Sequence, residues 1–278
     1  MQAIGKEIPD YQEIGITIWT TSPQLARTYR SPIIRNAFLA GDAAHSFPPT
    51  GGLGVNTGVA DVQNLVWKIH AVESQWADPT LLDSVTAERL PVARENCRQS
   101  KVNERKIFRL IDGIIQHGLT AQEILSNPAM CKEIQRDVDE NREHFHSLNL
   151  QLGYVYGRNM RRGPSDYQKE AVPGARLPHF WIEKNGRKLS TLDLIDGMGF
   201  ILLCTPGFTN FSVLDAGRAV AVEIRQIGRD FHDPSGDFTR FLHESSVESL
   251  LIRPDQHIVG PAATSEAAIL LLSRYLGC

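Results

Sequence analysis

A carboxylate, a cluster of glycines and the start of a helix lie close together between Phe38 and Asn56. The apolar run Ala37-Phe38-Leu39-Ala40 stops at Gly41-Asp42, and Pro48-Pro49-Thr50-Gly51-Gly52-Leu53-Gly54 then leads into a helical pattern. An apolar strand ending in Gly-Asp delivers a carboxylate to a sheet edge, where α/β folds bind ligands. Such a carboxylate accepts hydrogen bonds from sugar-like hydroxyls. Gly51, Gly52 and Gly54 let the backbone approach a ligand closely, because no Cβ intervenes. The helix beginning there offers free N–H groups and the positive end of its dipole. A polyol chain with a delocalised anionic ring edge suits both ends of this segment, and reduced flavin is such a ligand.

The elements that position these residues are read from pattern. Ala37–Ala40 has the two-sided apolar character of a strand inside a parallel sheet. Val59, Val62, Leu65, Val66 and Ile69 share one face of a helix running from about Gly54 to Val72. Asp83 is placed to cap a long helix, kinked or restarted at Pro91. Thr120-Ala-Gln-Glu123 reads as a capping box that opens another helix, with Pro128 interrupting it near its start. Lys132 to His146 is charged enough for a solvated helix face. Ile14 to Trp19 reads as a strand. Gly157 to Pro173 is polar, rich in breakers and aperiodic, so it reads as a linker. Beyond it come a short helix near Leu189–Leu194, strands at Phe200–Cys204 and Ala219–Ile227, a helix or turn at Phe211–Ala216, and a short helix at Phe238–Leu242. A hairpin around Pro254-Asp255 and an amphipathic helix over Thr264–Leu276 complete the pattern. The class is α/β.

Bulk properties narrow the function. The chain has 278 residues, a net charge of −3 and interspersed charges, which gives no electrostatic footprint for nucleic acid or an anionic membrane. Cys97, Cys131, Cys204 and Cys278 form no CxxC and no metal-spaced pair, so neither a disulfide framework nor a zinc site is expected. The first residues carry acids and no apolar signal core, and no apolar run reaches membrane length, so a cytoplasmic location is expected.

The residues Gly41-Asp42-Ala43-Ala44-His45, Pro48, Gly51-Gly52, Gly54, Asn56, Gly58, Asp61, Asn64-Leu65 and Trp67-Lys68, followed by Thr86-Ala-Glu-Arg-Leu-Pro91, form a long ordered motif. It resembles the second FAD-binding motif of the flavin-dependent aromatic hydroxylases, the group A monooxygenases that include phenol hydroxylase. The resemblance implies that Asp42 binds the ribityl hydroxyls of FAD. It places Gly41, Pro48, Gly51, Gly52, Leu53, Gly54, Val55 and Asn56 around the cofactor, with the N–H groups near Leu53–Asn56 facing the N1–C2=O edge of the flavin. Charge developing there on reduction would be stabilised as in an oxyanion hole. NADPH is the implied co-substrate and a phenolic or polyketide-like aromatic compound the implied substrate; no catalytic residue and no metal is implied.

Pro173-Gly-Ala-Arg-Leu-Pro178 and Leu251-Ile-Arg-Pro-Asp-Gln-His257 resemble the thioredoxin-like C-terminal domain of phenol-hydroxylase-type members, without a CxxC; Gly260-Pro261 stands where the family has an aromatic-arginine pair. The implied organisation is a remnant of the substrate-domain sheet over 1–30, the C-terminal part of an FAD-binding domain with long helices over 31–156, a linker over 157–173 and the thioredoxin-like domain over 174–278. No strand–GxGxxG–helix unit is found, so the adenine-binding half of the cofactor site is expected from a partner chain, or the exposed edge is expected to be covered in a homodimer. The alternative is a truncated relative without flavin redox activity, acting as a cofactor-independent cyclase or isomerase or as a scaffold. Several side chains have plainer readings. His45 and Asn64 read as structural hydrogen-bonders, and Trp67 and Lys68 as helix packing and snorkelling. His144 and His146, two apart, share no helix face, and Asp230-Phe-His-Asp233 reads as a solvated loop.

Overall fold

The computed structural model describes residues 15, 17, 22–116, 118, 121–160, 162–197, 199–208 and 222–277. The strand expected at Ile14–Trp19, the cap at Thr120 and the element expected at Phe211–Ala216 fall wholly or mostly outside them. A two-residue strand β1 (Gln24–Leu25) pairs antiparallel with β2 (His45–Ser46). Helix α1 (Leu53–Glu73) and the long helix α2 (Ser84–Gln116) pack together and carry the first half of the molecule. Short helices α3 (Ala121–Leu125), α4 (Pro128–Glu140), α5 (Arg142–Phe145) and α6 (Leu148–Leu152) come next. Pro91 does not interrupt α2, and Pro128 opens α4 behind the capping side chain of Asn127. Proline fits there because a first-turn N–H has no intrahelical partner to lose.

The segment read as a linker is tied down. Asn149 donates to the Arg162 and Gly163 carbonyls, and Arg162 pairs with Glu170 at 2.5 Å. A hairpin of β3 (Trp181–Lys184) and β4 (Arg187–Ser190) turns on Asn185 and Gly186, both at positive φ. Ser190 and Asp193 form a capping box on the short helical turn Thr191–Leu194. The main sheet contains β5 (Phe200–Cys204), β6 (Val222–Gln226), β7 (Ser249–Ile252) and β8 (Ile258–Pro261) in the order β6-β5-β7-β8. β5 runs parallel to β6 and antiparallel to β7. Helix α7 (Asp237–Glu244) precedes β7, and α8 (Ser265–Leu276) ends the fold.

Strand periodicity explains why all of β5 is buried: alternate residues serve opposite faces. Phe200, Leu202 and Cys204 join one cluster with Trp67, Ala71, Trp76 and α8, while Ile201 and Leu203 join another with Phe180, Ile182, Phe238 and Leu242. The C-terminal half of α1 is therefore part of the sheet's own core.

Two expectations are reversed, at Ala37–Ala40 and at Lys68. Ala37–Ala40 has no parallel neighbour among the described residues; Phe38 makes a single antiparallel bridge to Arg30. Helix α1 turns its valines outward. Val55, Val59, Val62 and Val66 are exposed, whereas Asp61, Asn64 and Lys68 are buried. Lys68 does not snorkel; it is fully enclosed. No helix among the described residues is long and apolar enough to cross a membrane.

Candidate functional site

The Gly41–Asp42–Ala43 segment forms one tight helical turn with Gly41 at φ +57°, and Asp42 is exposed on it. Two contacts fix the turn against α1. A Cβ on Gly58 would stand 3.1 Å from the Gly41 Cα, so the approach favours glycine at 58, while the positive φ favours glycine at 41. Asp61, one helical turn further along, accepts from the Gly41 N–H at 3.2 Å. The same carboxylate bonds His45 Nε2 at 2.8 Å and Arg89 Nε at 2.7 Å. Arg89 also donates to the Thr57 carbonyl at 3.2 Å and to the Tyr156 hydroxyl at 3.3 Å. His45 thus acts as the buried hydrogen-bonder its turn position suggests.

The Pro48–Gly54 turn is held from below by α2. Ser100 donates to the Pro48 carbonyl at 2.6 Å, and Thr50 donates to the Ser100 carbonyl at 2.7 Å. Gly51 and Gly52 adopt left-handed φ of +93° and +63°. The Gly51 N–H donates to His144 Nε2 at 3.1 Å, a bond between residues far apart in sequence that no local pattern announces. Above the turn the site is open. Space stands where Gly52 and Gly54 would carry a Cβ, and Val55 is 79% exposed. No side chain caps α1, whose first-turn N–H groups are left without intrahelical partners. Asn56 turns its amide back to the Gly52 carbonyl at 2.8 Å. Beside Gly51, the buried Asn103 Nδ2 has no hydrogen-bond partner. An uncapped helix start, a backbone stripped of Cβ atoms and an orphaned donor together fit an electron-rich planar group.

A buried ionic seam runs beneath this surface. Lys68 Nζ donates to Glu88 at 2.7 Å, to Asn64 Oδ1 at 3.0 Å and to Ser84 Oγ at 2.8 Å. Glu88 in turn receives both guanidinium nitrogens of Arg253, at 2.8 and 3.0 Å. Arg253 also pairs with Asp255, and its guanidinium lies over the Trp67, Tyr156 and Tyr275 rings. Burial alone would raise the Glu88 carboxyl, but the Arg253 and Lys68 charges outweigh it and hold it at about 2. Burial pushes the Lys68 ammonium down to about 8 although Glu88 opposes the shift. Asp255 is likewise held below its ordinary value, because Arg253 outweighs its burial.

The structure therefore divides the ordered motif into two parts. Gly41, Asp42, Pro48, Gly51, Gly52, Leu53, Gly54, Val55 and Asn56 build two adjoining turns and a helix start. Asp61, Asn64, Trp67, Lys68, Glu88 and Arg89 lie behind them and bind this half to β7 and the turn after it. No group of side chains that could hold a metal occurs among the described residues.

Two family models match the chain. Residues 1–100 match the family model "FAD binding domain", and residues 170–277 match "Aromatic-ring hydroxylase, C-terminal". A 2,4-dichlorophenol 6-monooxygenase of Cupriavidus pinatubonensis is 32% identical over 99% of this chain and 51% of its own length. A tetracenomycin A2 monooxygenase-dioxygenase of Streptomyces glaucescens is also 32% identical, over 85% of this chain and 39% of its own. A solved structure of the flavin-dependent monooxygenase PieE with FAD and substrate superposes with a TM-score of 0.79 at 26% identity, covering 93% of this chain and 50% of that one. The chain spans about half the length of the curated relatives it matches. It belongs to the FAD-dependent aromatic-ring hydroxylase family.

Proposed function

We propose that this chain supplies the ribityl and ring-edge half of an FAD site in a monooxygenase that hydroxylates a phenolic or polyketide-like aromatic ring. The observation that carries this reading is the fixed juxtaposition of Asp42 and the open α1 start. Gly41 rests on Gly58, five residues into α1 from Leu53, which is roughly 7–8 Å along the helix axis. A five-carbon polyol chain spans such a separation, with hydroxyls at the Asp42 carboxylate and the ring edge at the helix N-terminus. FAD, reduced by NADPH, supplies the oxygen-activating chemistry. The residues of this chain bind and orient it: Asp42 accepts hydroxyl hydrogen bonds, the Gly51–Gly54 backbone admits the ring plane, and the N–H groups of Leu53 to Asn56 offset negative charge at the ring edge. Asn103 Nδ2, buried beside Gly51, would be a further donor on that side of the turn.

Residues 31–156 then form the flavin half, 157–173 a connecting segment and 174–278 a thioredoxin-like domain without a dithiol. The sheet order β6-β5-β7-β8 with one parallel pair supports that assignment. The exposed stripe Val55, Val59, Val62, Val66 and Ile69 supports a covering partner, either a second copy or a chain bearing the adenine-binding unit. A cytoplasmic location fits the sequence. No feature among the described residues favours a cyclase, isomerase or scaffold.

The test is the flavin content of the purified chain, with and without added FAD. Bound flavin with its visible absorbance, abolished by Asp42→Ala, is the expected result. A colourless chain that ignores FAD, or flavin binding that survives Asp42→Ala, overturns the reading.

A further inference from the structure

A cleft of about 910 Å³ opens on the other face of the sheet from α1, between the β3–β4 hairpin and α7. Its size falls in the range of small-molecule sites, roughly 300–1,000 Å³. The hairpin register explains its chemistry. Trp181 lies opposite Ser190 and Glu183 opposite Lys188, so these alternate residues share the outer face while Ile182 enters the core. Trp181 is 54% exposed and forms a wall, and Phe180 and Phe241 form an apolar floor.

Two ammonium groups stand on these rings. Lys169 Nζ is 3.7 Å from the Phe180 ring centre and Lys188 Nζ is 4.4 Å from that of Trp181. Burial pushes the Lys169 pKa down, which Asp237 only partly offsets. Neither ammonium has a carboxylate within ion-pair distance among the described residues. Asp237 is already taken by Arg240 at 3.1 Å. A single exposed tryptophan needs no explanation. A tryptophan wall in a concave site with two cations over aromatic faces, neither in a direct ion pair with the carboxylates around it, is different, because ring faces solvate a cation only in part.

We propose that this cleft binds a planar aromatic monocarboxylate, its ring against Trp181 and Phe241 and its carboxylate reaching the Lys169 and Lys188 ammoniums. The site is separate from the flavin-facing turn and does not depend on it. Glu183 and Glu244 also line the cleft. They oppose a second negative charge on the ligand, which restricts the class to monoanions.

The test uses the full chain, 2-naphthoate and its neutral analogue 2-naphthylmethanol, titrated by calorimetry at low salt. Two charge-assisted contacts predict that the acid binds about tenfold or more tighter than the alcohol. Lys169→Met with Lys188→Met should erase that difference, and Trp181→Ala should weaken both ligands. No binding of naphthoate, equal binding of acid and alcohol, or affinities unchanged in the variants would overturn the proposal. Should a variant fail to fold, the acid–alcohol comparison on the unmodified chain decides alone.

Discussion

Phe200, Ile201, Leu202, Leu203 and Cys204 of β5 are all buried, while Val55, Val59, Val62, Val66 and Ile69 of α1 stand in solvent. Both segments are rich in aliphatic side chains, and the difference lies in their neighbours. β5 has strands on both sides and a hydrophobic cluster over each face. α1 covers only one face, and that face is mixed: beside Leu53, Trp67 and Ala71, the polar Asp61, Asn64 and Lys68 point into the molecule because Arg89, Glu88 and Arg253 are there to meet them. Buried charge persists where it is paired and hydrogen-bonded. Apolar surface left open in a continuous stripe is a surface that seeks cover.

Breaking the seam should have the largest effect. Arg253→Met leaves Glu88 and Asp255 buried without their guanidinium, and removing one partner of a buried pair costs about 3–5 kcal/mol. Denaturant unfolding monitored by circular dichroism checks this; a loss below about 1 kcal/mol would show that the seam contributes specificity rather than stability. Acid probes the same seam more gently. Glu88 is held at about 2 in the folded chain against an ordinary 4.5. Between those values the unfolded chain binds more protons, so stability rises with pH there and is lost as pH falls from about 4.5 towards 2. Glu88→Gln should start less stable at neutral pH and show a flatter acid limb.

Much of this is legible in sequence because the signals are local. The Ser190–Asp193 box, the β5 run, the Pro254-Asp255 turn and the glycine turn before α1 each arise from residues a few positions apart. The β3–β4 hairpin carries such a signal too: Asn185-Gly186 supplies two positive φ angles in a row, the strongest short hairpin cue, although the pattern of strands and helices read from sequence leaves it out. The orientation of α1 is less accessible. Helical periodicity separates two faces correctly but says nothing of which is covered, and the partners that draw the polar residues inward, Glu88 and Arg89 on α2 and Arg253 after β7, are distant in sequence. His144 on Gly51 and Thr50 on Ser100 are likewise tertiary facts.

A smaller effect is expected at Gly58, where the seam meets the exposed turn. Alanine gains up to about 1 kcal/mol of helix propensity over glycine, while its Cβ would press on the Gly41 Cα. The two effects offset each other, so unfolding free energy should change by less than about 1 kcal/mol. The Gly41 turn, however, must move. Faster amide exchange at Gly41, as its bond to Asp61 lengthens, is the direct readout, and a several-fold loss of flavin affinity accompanies it if Asp42 is the flavin's ligand. Unchanged exchange would mean that the turn yields without losing its anchor.

The smallest effect on the chain itself, and the sharpest test of the contrast with β5, comes from Val62→Lys. Val62 is exposed on the outer face of α1, so lysine there should shift stability by no more than about 0.5 kcal/mol. The equivalent change at Leu202, buried on β5 between two strands, should prevent folding. If the valine stripe is covered in the working protein, Val62→Lys should instead abolish association, measured by sedimentation velocity as a shift to the monomer or as loss of a co-purifying chain. A stripe that tolerates lysine in both stability and association is an ordinary solvated face, and α1 then needs no cover.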